Sequence, residues 1–395
     1  MGRFANPSNP SMPASVDYHL LGTHVRFAPG CAADLPAELD ALGCARPVVL
    51  MQRRMHESAA WQRLQAMLAP AVADLRVYGD VPTHGSVQWV QAVAADLAGF
   101  ACDGIVAVGG GSVSDAAKAL AMLLAEGGRL ADHATRFTPP AKVEIPRRVR
   151  PKLPIIALPT TASGAEVTPS FGARDDDHKL LFWNRGLASA TVLIDPDLSA
   201  DLPIDLLRYT AMNGLAHCFE GMYSRNRSPI SDALALLATE HFAQSLESGG
   251  DESAQRGQLL LAGHVSGMVL SMARTCLHHA ICHVIGARHG VGHGLANTVI
   301  LPHAIRFNEE VAAPLLAPAL AVLNRVSGTR HERVCDWVQD IVARRGLPHS
   351  LGALGVRRED LPAIARQTMT ERGLAVNPRP VSHPDEVLSI LERAL

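Results

Sequence analysis

The sequence predicts an α/β half built around a mostly parallel sheet, followed by an all-helical half. As far as about residue 200, short apolar runs rich in β-branched residues alternate with Ala-rich amphipathic segments, which is typical of βαβ units. After Asp195-Pro196-Asp197 such runs become rare, and long Ala- and Leu-rich stretches with helical spacing replace them. We therefore expect a flexible tail over residues 1–16, an α/β domain over 17–202 and an all-helical domain over 203–395.

Each predicted strand is a short apolar run, and each predicted helix is a longer segment with helical spacing. Buried strands are expected over residues 47–51, 75–78, 104–108, 153–158 and 191–194, with an extra edge strand or hairpin over 18–27. Helices are expected over 87–97, 114–124, 233–246, 258–272 and 311–322. The basic stretch over 127–150 has neither pattern and is expected to be a surface loop.

The bulk composition indicates two domains and gives no sign of a nucleic-acid or membrane partner. With 395 residues, 48% of them apolar, the chain is long enough for two domains. The net charge of −2 gives no reason to expect nucleic acid or an anionic membrane as a partner. No apolar run reaches the roughly 18 residues that cross a membrane. The seven cysteines include no Cys-x-x-Cys pair, which favours reduced thiols and a cytoplasmic location.

A glycine-rich turn follows the third predicted strand and precedes a predicted helix. The turn consists of Gly109, Gly110, Gly111 and Ser112, and Asp115 and Lys118 follow in the helix. Glycines let a phosphate approach the backbone, and a helix N-terminus offers free N–H groups and a positive dipole end. The pattern indicates a nucleotide pyrophosphate site, although it matches neither Gly-x-Gly-x-x-Gly nor a Walker A loop. The alternative is a tight turn that binds nothing.

A second polar loop follows the fourth predicted strand. Thr160 and Thr161 stand at its carboxyl end, where open α/β sheets bind ligands. Lys179, after a polar run, has the length to reach a ribose or a phosphate. An ordinary turn and a surface lysine are the alternative interpretation.

The helical half carries histidines at matching spacings. Asn213 and His217 are four residues apart and share a helix face, as do His279 and His283, and His293 follows fourteen residues after His279. Neutral imidazole is a common ligand of zinc or iron, so three histidines with an Asp would hold a divalent metal. The fourth candidate is instead Asn213, which is neutral and a poor ligand. The pattern predicts a functional site and leaves the metal open; structural packing is the alternative.

Taken in order, these motifs resemble those of the iron-containing (group III) alcohol dehydrogenase superfamily, over nearly the whole chain from about residue 18. Asp195-Pro196, Leu301-Pro302-His303, Phe307-Asn308 and Asn377-Pro378-Arg379-Pro380 extend the resemblance. It implies a dehydroquinate synthase-like architecture, with an α/β dinucleotide-binding domain for NAD(H) or NADP(H) and an all-helical domain. It further implies an active site in the cleft between the domains, and a homodimer.

The resemblance also implies roles for the histidines. Metal-dependent members have Asp where this chain has Asn213, so iron or zinc, if present, would be held by His217, His279 and His293 with Asn213 as a weakened ligand. His283 would lie nearby in the substrate pocket. The chain is similar to the maleylacetate reductase branch in Met212-Asn213-x-x-Ala216-His217 and in Leu277-His278-His279-x-x-Cys282-His283. The enzymes of that branch resemble metal-independent reductases. Gly294-Leu295-Ala296-Asn297 instead resembles the metal-dependent alcohol dehydrogenases.

Together these features predict an NAD(P)H-dependent reductase of the maleylacetate type, which transfers hydride to a 4-oxo-2-enoate. His217, His279 and His293, oriented by Asn213, would stabilise the developing oxyanion as protonated or hydrogen-bond-donating imidazoles. His283 would handle protonation or bind a carboxylate, and Arg288 would anchor a carboxylate of the oxo-carboxylate substrate. The alternatives are an iron- or zinc-dependent alcohol dehydrogenase, a lyase resembling dehydroquinate synthase, and a binding protein without catalysis.

The residues after the first buried strand bear on the coenzyme. Discrimination against NADPH normally needs an acid near the ribose 2′-hydroxyl. Here the strand runs into Gln52-Arg53-Arg54, and an arginine can accept a 2′-phosphate. We therefore expect the use of both NADH and NADPH.

Overall fold

The computed structural model describes residues 22–83, 85–138, 142–176, 178–248 and 251–395. The predicted tail over residues 1–16 lies outside these ranges. The strands are β1 His24–Phe27, β2 Pro47–Met51, β3 Arg76–Tyr78, β4 Gly104–Gly109, β5 Arg136–Thr138, β6 Lys142–Glu144, β7 Ile155–Pro159, β8 Ser170–Asp175, β9 His178–Trp183 and β10 Thr191–Ile194. The helices are α1 Leu35–Ala41, α2 Arg53–His56, α3 Ala59–Leu68, α4 Val87–Asp96, α5 Gly111–Glu126, α6 Ile204–Tyr223, α7 Pro229–Glu247, α8 Glu252–Ala273, α9 Leu277–His289, α10 His293–Ser327, α11 Val334–Arg344, α12 Leu361–Thr368 and α13 Pro384–Arg393.

A six-stranded sheet of order β1-β10-β7-β4-β2-β3 forms the first half, and every pairing in it is parallel. The five predicted buried strands are all present, and β1 is the predicted edge strand. Strands β2, β4 and β7 are buried at every position because helices cover both faces of the sheet. The chain runs outward from β2 to β3 and then returns to β4 on the other side of β2. The strand order therefore reverses between β2 and β4, at their carboxyl ends.

Two antiparallel hairpins lie outside this sheet. The expectation of a plain loop over 127–150 is wrong in part, because β5 and β6 pair within it. Their residues are exposed or half-buried, so no apolar run marks them in the sequence. The second hairpin pairs β8 with β9, and it places Arg174 directly opposite Lys179.

The second half is helical, as predicted. Helix α6 lies at its centre, where its residues from Ala211 to Tyr223 are all buried against α7, α8 and α10. The predicted helices over 233–246 and 258–272 lie within α7 and α8, and that over 311–322 lies within the 35-residue α10. In the described ranges, no single helix is long and apolar enough to cross a membrane; only α8 and α9 together pass that test, with a bend of 108° between them.

Close backbone contact joins the two halves. The loop after β7 lies against α8, and Gly164, in the left-handed region at φ 65°, meets Gly263 and Gly267 of that helix. A Cβ on Gly267 would lie 2.3 Å from the Gly164 carbonyl oxygen, so only glycine allows this approach. The buried amine of Lys118, in α5, donates to the carbonyl oxygens of Ala165 and Ser170 and holds the same loop in place. These contacts fix the position of the loop after β7 relative to the helical half.

Candidate active site

The histidine cluster lies where α6, α9 and the start of α10 meet. Helix α9 ends at Gly290, whose φ of 65° turns the chain, and α10 begins at His293. The ring centroid of His279 is 4.9 Å from that of His217, 6.1 Å from that of His283 and 5.7 Å from that of His293. The rings of His283 and His293 stack at 5.7 Å. The structure thus brings together the four histidines that the spacing singled out.

Asn213 lies in direct contact with the middle histidine. Its Oδ1 is 3.0 Å from His279 Nε2, while His279 Nδ1 is 2.6 Å from Glu220 Oε2. An amide can accept a hydrogen bond from an imidazole N–H through Oδ1 or, turned over, donate a hydrogen bond to a bare nitrogen through Nδ2. Asn213 therefore matches either tautomer of His279, whereas an ionised Asp could only accept.

Glu220 is a member of the site that sequence reasoning missed. It is completely buried, and its other oxygen accepts the backbone N–H of His278 at 2.9 Å. The signal was present, because positions 213, 217 and 220 follow the i, i+4, i+7 spacing of one helix face. The buried ring of His278 contacts the Asn297 carbonyl oxygen through Nε2 and lies beside His279, so it supports the cluster from behind.

Burial sets the protonation of this cluster. It lowers the pKa values of His217, His279, His283 and His293 well below their usual range, and the positive charge of Lys179 lowers the pKa values of the last three further. Burial also raises the pKa of the Glu220 carboxyl to about 7. The histidines are therefore neutral near pH 7, so each offers one N–H donor.

The donor set fits a divalent metal poorly. Asn213 brings no negative charge, and its oxygen already contacts His279. Among the residues that the structure describes, one group of three has ligand atoms within 4.8 Å of one another, and it consists of Glu220, His278 and His279. These atoms are close because they contact one another inside the protein. They form a support for the His279 ring rather than an open coordination site.

A small cavity that is partly open to solvent lies beside the cluster. The side chains and backbone that line it are Arg174, Lys179, Cys282, His283, Gly286, Ala287 and His293. At one side, His283 Nδ1 is 3.3 Å from Glu371 Oε2, and burial raises the pKa of this carboxyl to about 7. Glu371 is a second acid that no sequence signal indicated, since it stands 88 residues from His283.

The structure does not bring Arg288 into this cavity. Its side chain is exposed and donates to Gln367 Oε1 at 3.1 Å on the outer side of α9. The reason is helical geometry, because a residue five positions after His283 lies on a different face of the helix. Arg288 is therefore not placed to act as the carboxylate anchor expected from the sequence.

The predicted dinucleotide residues surround the strand-order reversal. Helix α5 begins at Gly111 with Gly110 as its N-cap, and Ser112 stands in its first turn. A Cβ on Gly110 would lie 2.7 Å from the Thr161 hydroxyl, which is buried and has no hydrogen-bond partner among the described residues. The backbone N–H of Thr160 donates to the Gly109 carbonyl oxygen at 3.1 Å. Open backbone beside an unpartnered hydroxyl fits a phosphate-bearing cofactor.

Two further predicted residues lie deeper. Asp115 Oδ2 accepts the backbone N–H of Gly172 at 3.1 Å, which ties α5 to the β8–β9 hairpin. The Lys179 side chain lies across Gly172, where a Cβ would be 2.3 Å from Lys179 Cε. Lys179 also lines the cavity beside His283 and His293, so it lies at the histidine end of the cleft. Its predicted contact with the cofactor stays a prediction.

Comparison with known proteins agrees with this geometry. The iron-containing alcohol dehydrogenase profile matches residues 22–196, and the profile of the C-terminal part of that family matches residues 208–395. Maleylacetate reductase 2 of Cupriavidus pinatubonensis is 33% identical over 366 residues, covering 90% of this chain and 84% of the relative. The 4-hydroxybutyrate dehydrogenase of Cupriavidus necator is 29% identical over 381 residues, covering 93% and 97%.

Solved structures give the same result. The maleylacetate reductase from Agrobacterium tumefaciens superposes with a TM-score of 0.79 at 26% identity, covering 97% of this chain and 98% of that one. The predicted fold class and the resemblance drawn from the motifs are confirmed. The chain belongs to the iron-containing alcohol dehydrogenase family of NAD(P)-dependent oxidoreductases.

Proposed function

We propose that this enzyme reduces a 4-oxo-2-enoate such as maleylacetate to the saturated oxo acid, 3-oxoadipate, with NADH or NADPH. The observation that carries the proposal is the contact of Asn213 with His279, backed by Glu220. This arrangement holds the His279 ring at the centre of the histidine cluster without requiring a cation at Asn213. The similarity to several maleylacetate reductases, at 27% to 33% identity, supports the same activity.

The proposed reaction is a conjugate reduction. Hydride from the reduced nicotinamide adds to the alkene carbon β to the ketone, and the alkene electrons move onto the ketone oxygen to form an enolate. A proton then adds to the α carbon, which leaves the saturated oxo acid and NAD(P)⁺. Neutral imidazole N–H groups of His217 and His293 stabilise the enolate oxygen, beside the His279 ring that Asn213 and Glu220 hold in place, and His283 supplies the proton.

The test combines metal analysis with turnover. Protein purified without chelator should contain sub-stoichiometric iron and zinc, and NAD(P)H oxidation on maleylacetate should resist EDTA. One metal ion per chain, with turnover that EDTA abolishes, would contradict the proposal.

Asn213→Asp is the matched variant. A carboxylate would place a buried negative charge beside the developing enolate, so maleylacetate reduction should fall by roughly 100-fold, the size of losing one oxyanion donor. The same variant should bind zinc or iron more tightly than the parent. Unchanged turnover in this variant would show that the neutrality of Asn213 is not required.

A second candidate is a metal-dependent dehydrogenase of hydroxy acids or alcohols. The similarity to a 4-hydroxybutyrate dehydrogenase and to alcohol dehydrogenase 4 of Schizosaccharomyces pombe, 27% identical, favours it. Oxidation of 4-hydroxybutyrate by NAD⁺, restored by zinc or iron after EDTA treatment, would select this function over the first.

Three further properties belong to the proposal. Arg53 and Arg54 come directly after β2, and no acid stands between the strand and these arginines, which supports the use of both coenzymes. A preference for NADH above about a hundredfold, roughly 2.8 kcal/mol, would contradict it.

All seven cysteines are free, which supports a cytoplasmic enzyme. We also propose a homodimer, which light scattering of the purified protein would test.

A further inference from the structure

Two cations face each other across the β8–β9 hairpin. Arg174 and Lys179 are register partners, and both line the cavity beside His283 and His293. Like charges directly opposite each other on neighbouring strands destabilise a sheet. A pair of this kind inside a binding cavity is explained when an anion lies between the two charges.

The contacts of Arg174 leave its binding groups available. Its Nε donates to the Asp176 carbonyl oxygen at 2.7 Å, and Asp176 adopts a φ of 51° in the hairpin turn. In the part of the chain that the structure describes, no hydrogen bond or ion pair engages the two terminal nitrogens of Arg174. A guanidinium held at Nε presents two parallel N–H groups, which is the geometry that a carboxylate accepts.

The acids near this pair already have partners. Asp115, whose charge acts on Lys179, accepts the Gly172 N–H, and Glu371 contacts His283. The residues that line the cavity include no carboxylate. The hairpin side of the cavity is therefore positive, while its other side carries the neutral histidines.

We propose that Arg174, with Lys179 beside it, binds a carboxylate of the substrate and makes the enzyme selective for oxo acids over neutral carbonyl compounds. This inference rests on the proposed function, since it names how that substrate class is recognised. Arg174 takes the role that sequence analysis gave to Arg288. A charge-assisted bidentate contact of this kind changes affinity by about tenfold to a hundredfold.

The test is the binding of adipate, an unreactive dicarboxylate, to the full-length enzyme saturated with NADP⁺, measured by calorimetry. Arg174→Gln should weaken adipate binding by about tenfold or more, and Arg174→Lys should restore part of it. Arg63→Gln removes an exposed arginine of α3 that does not line the cavity, and it should bind adipate like the parent. Equal adipate affinity in Arg174→Gln and the parent would overturn the proposal.

Two further measurements identify the source of the anion and separate this inference from the proposed function. If Arg174→Gln weakens NADPH binding and leaves adipate binding intact, the pair binds a cofactor phosphate and the proposal fails. If Arg174 governs adipate binding but the parent does not reduce maleylacetate, the proposed function fails while the anchor stands. If the parent reduces maleylacetate and Arg174→Gln keeps its KM, the anchor fails while the function stands.

Discussion

At the residue scale, the buried Glu220 and the half-buried Glu371 set the chemistry of the histidines. Glu220 contacts Nδ1 of His279, and Glu371 contacts Nδ1 of His283. Burial raises the pKa of each carboxyl to about 7. A neutral imidazole carries one proton, so the state of the acid at Nδ1 decides whether Nε2 is a donor or a bare nitrogen. When either acid is protonated it donates to Nδ1, so the proton of the imidazole lies on Nε2 and that nitrogen becomes the donor.

This argument predicts a pH dependence governed by Glu371. Below pH 7 its carboxyl is protonated and donates to His283 Nδ1, so His283 Nε2 carries the proton that the enolate needs. Above pH 7 the carboxylate accepts from Nδ1 instead, and Nε2 is bare. The kcat/KM for maleylacetate should therefore fall as the pH rises through about 7, approaching tenfold per pH unit.

Glu371→Gln provides the test, because its amide N–H donates to Nδ1 at every pH. The decrease near pH 7 should disappear in this variant. The exposed Glu359→Gln is the matched control and should keep the profile of the parent. A Glu371→Gln enzyme that retains the decrease would assign it to another group.

At the scale of elements, the contact between α8 and the loop after β7 fixes the loop that carries Thr161, one of the predicted cofactor residues. Gly267→Ala would place a Cβ 2.3 Å from the Gly164 carbonyl oxygen, and backbone cannot move aside cheaply. We expect a loss of about 1–3 kcal/mol in the free energy of unfolding. The KM for NADPH should also rise, because the displaced loop carries Thr161. Urea unfolding and coenzyme titration measure the two effects.

Gly257→Ala is the control on the same helix. Its Cβ would approach only side-chain atoms, the nearest being Pro196 Cγ at 3.1 Å, and alanine favours the helix by about 1 kcal/mol. Its stability should stay close to that of the parent. If both alanine variants lose the same stability, the Gly164 contact is not the cause.

The same scale shows which elements a sequence can and cannot predict. Strands β2, β4 and β7 are apolar throughout because both faces are covered, so the pattern alone identifies them. The histidines of α6 and α9 were placed by helix periodicity, which is a local property. The pairing of β8 with β9 and the contact of Glu371 with His283 depend on how segments pack in three dimensions. No local pattern in the sequence predicts either of them.

At the scale of the whole molecule, the fold brings the predicted coenzyme residues and the histidine cluster to the same cleft from opposite sides. The reversal of strand order between β2 and β4 opens a crevice at the carboxyl ends of the strands, with the turn at Gly110 on one side. The helical half supplies the histidines, and the β8–β9 hairpin supplies the cations. We therefore expect the coenzyme to bind mainly to the sheet half and the substrate to lie between the histidines and the hairpin.

The final prediction concerns the coenzyme at this reversal. Arg53 and Arg54 are exposed in α2, directly after β2, and among the described residues no ion pair or side-chain hydrogen bond engages them. They are placed to contact a 2′-phosphate, so the double variant Arg53→Gln/Arg54→Gln should weaken NADPH binding by about 1.5–3 kcal/mol and leave NADH binding nearly unchanged.

Thermal unfolding measures this difference, because a ligand at about 100 times its Kd stabilises the native state by roughly 2.7 kcal/mol. At equal coenzyme concentrations, the parent should gain comparable stability from NADPH and NADH, whereas the double variant should keep the gain from NADH and lose about half or more of the gain from NADPH. If the variant loses both gains equally, the arginines support the sheet edge instead of reading the 2′-phosphate.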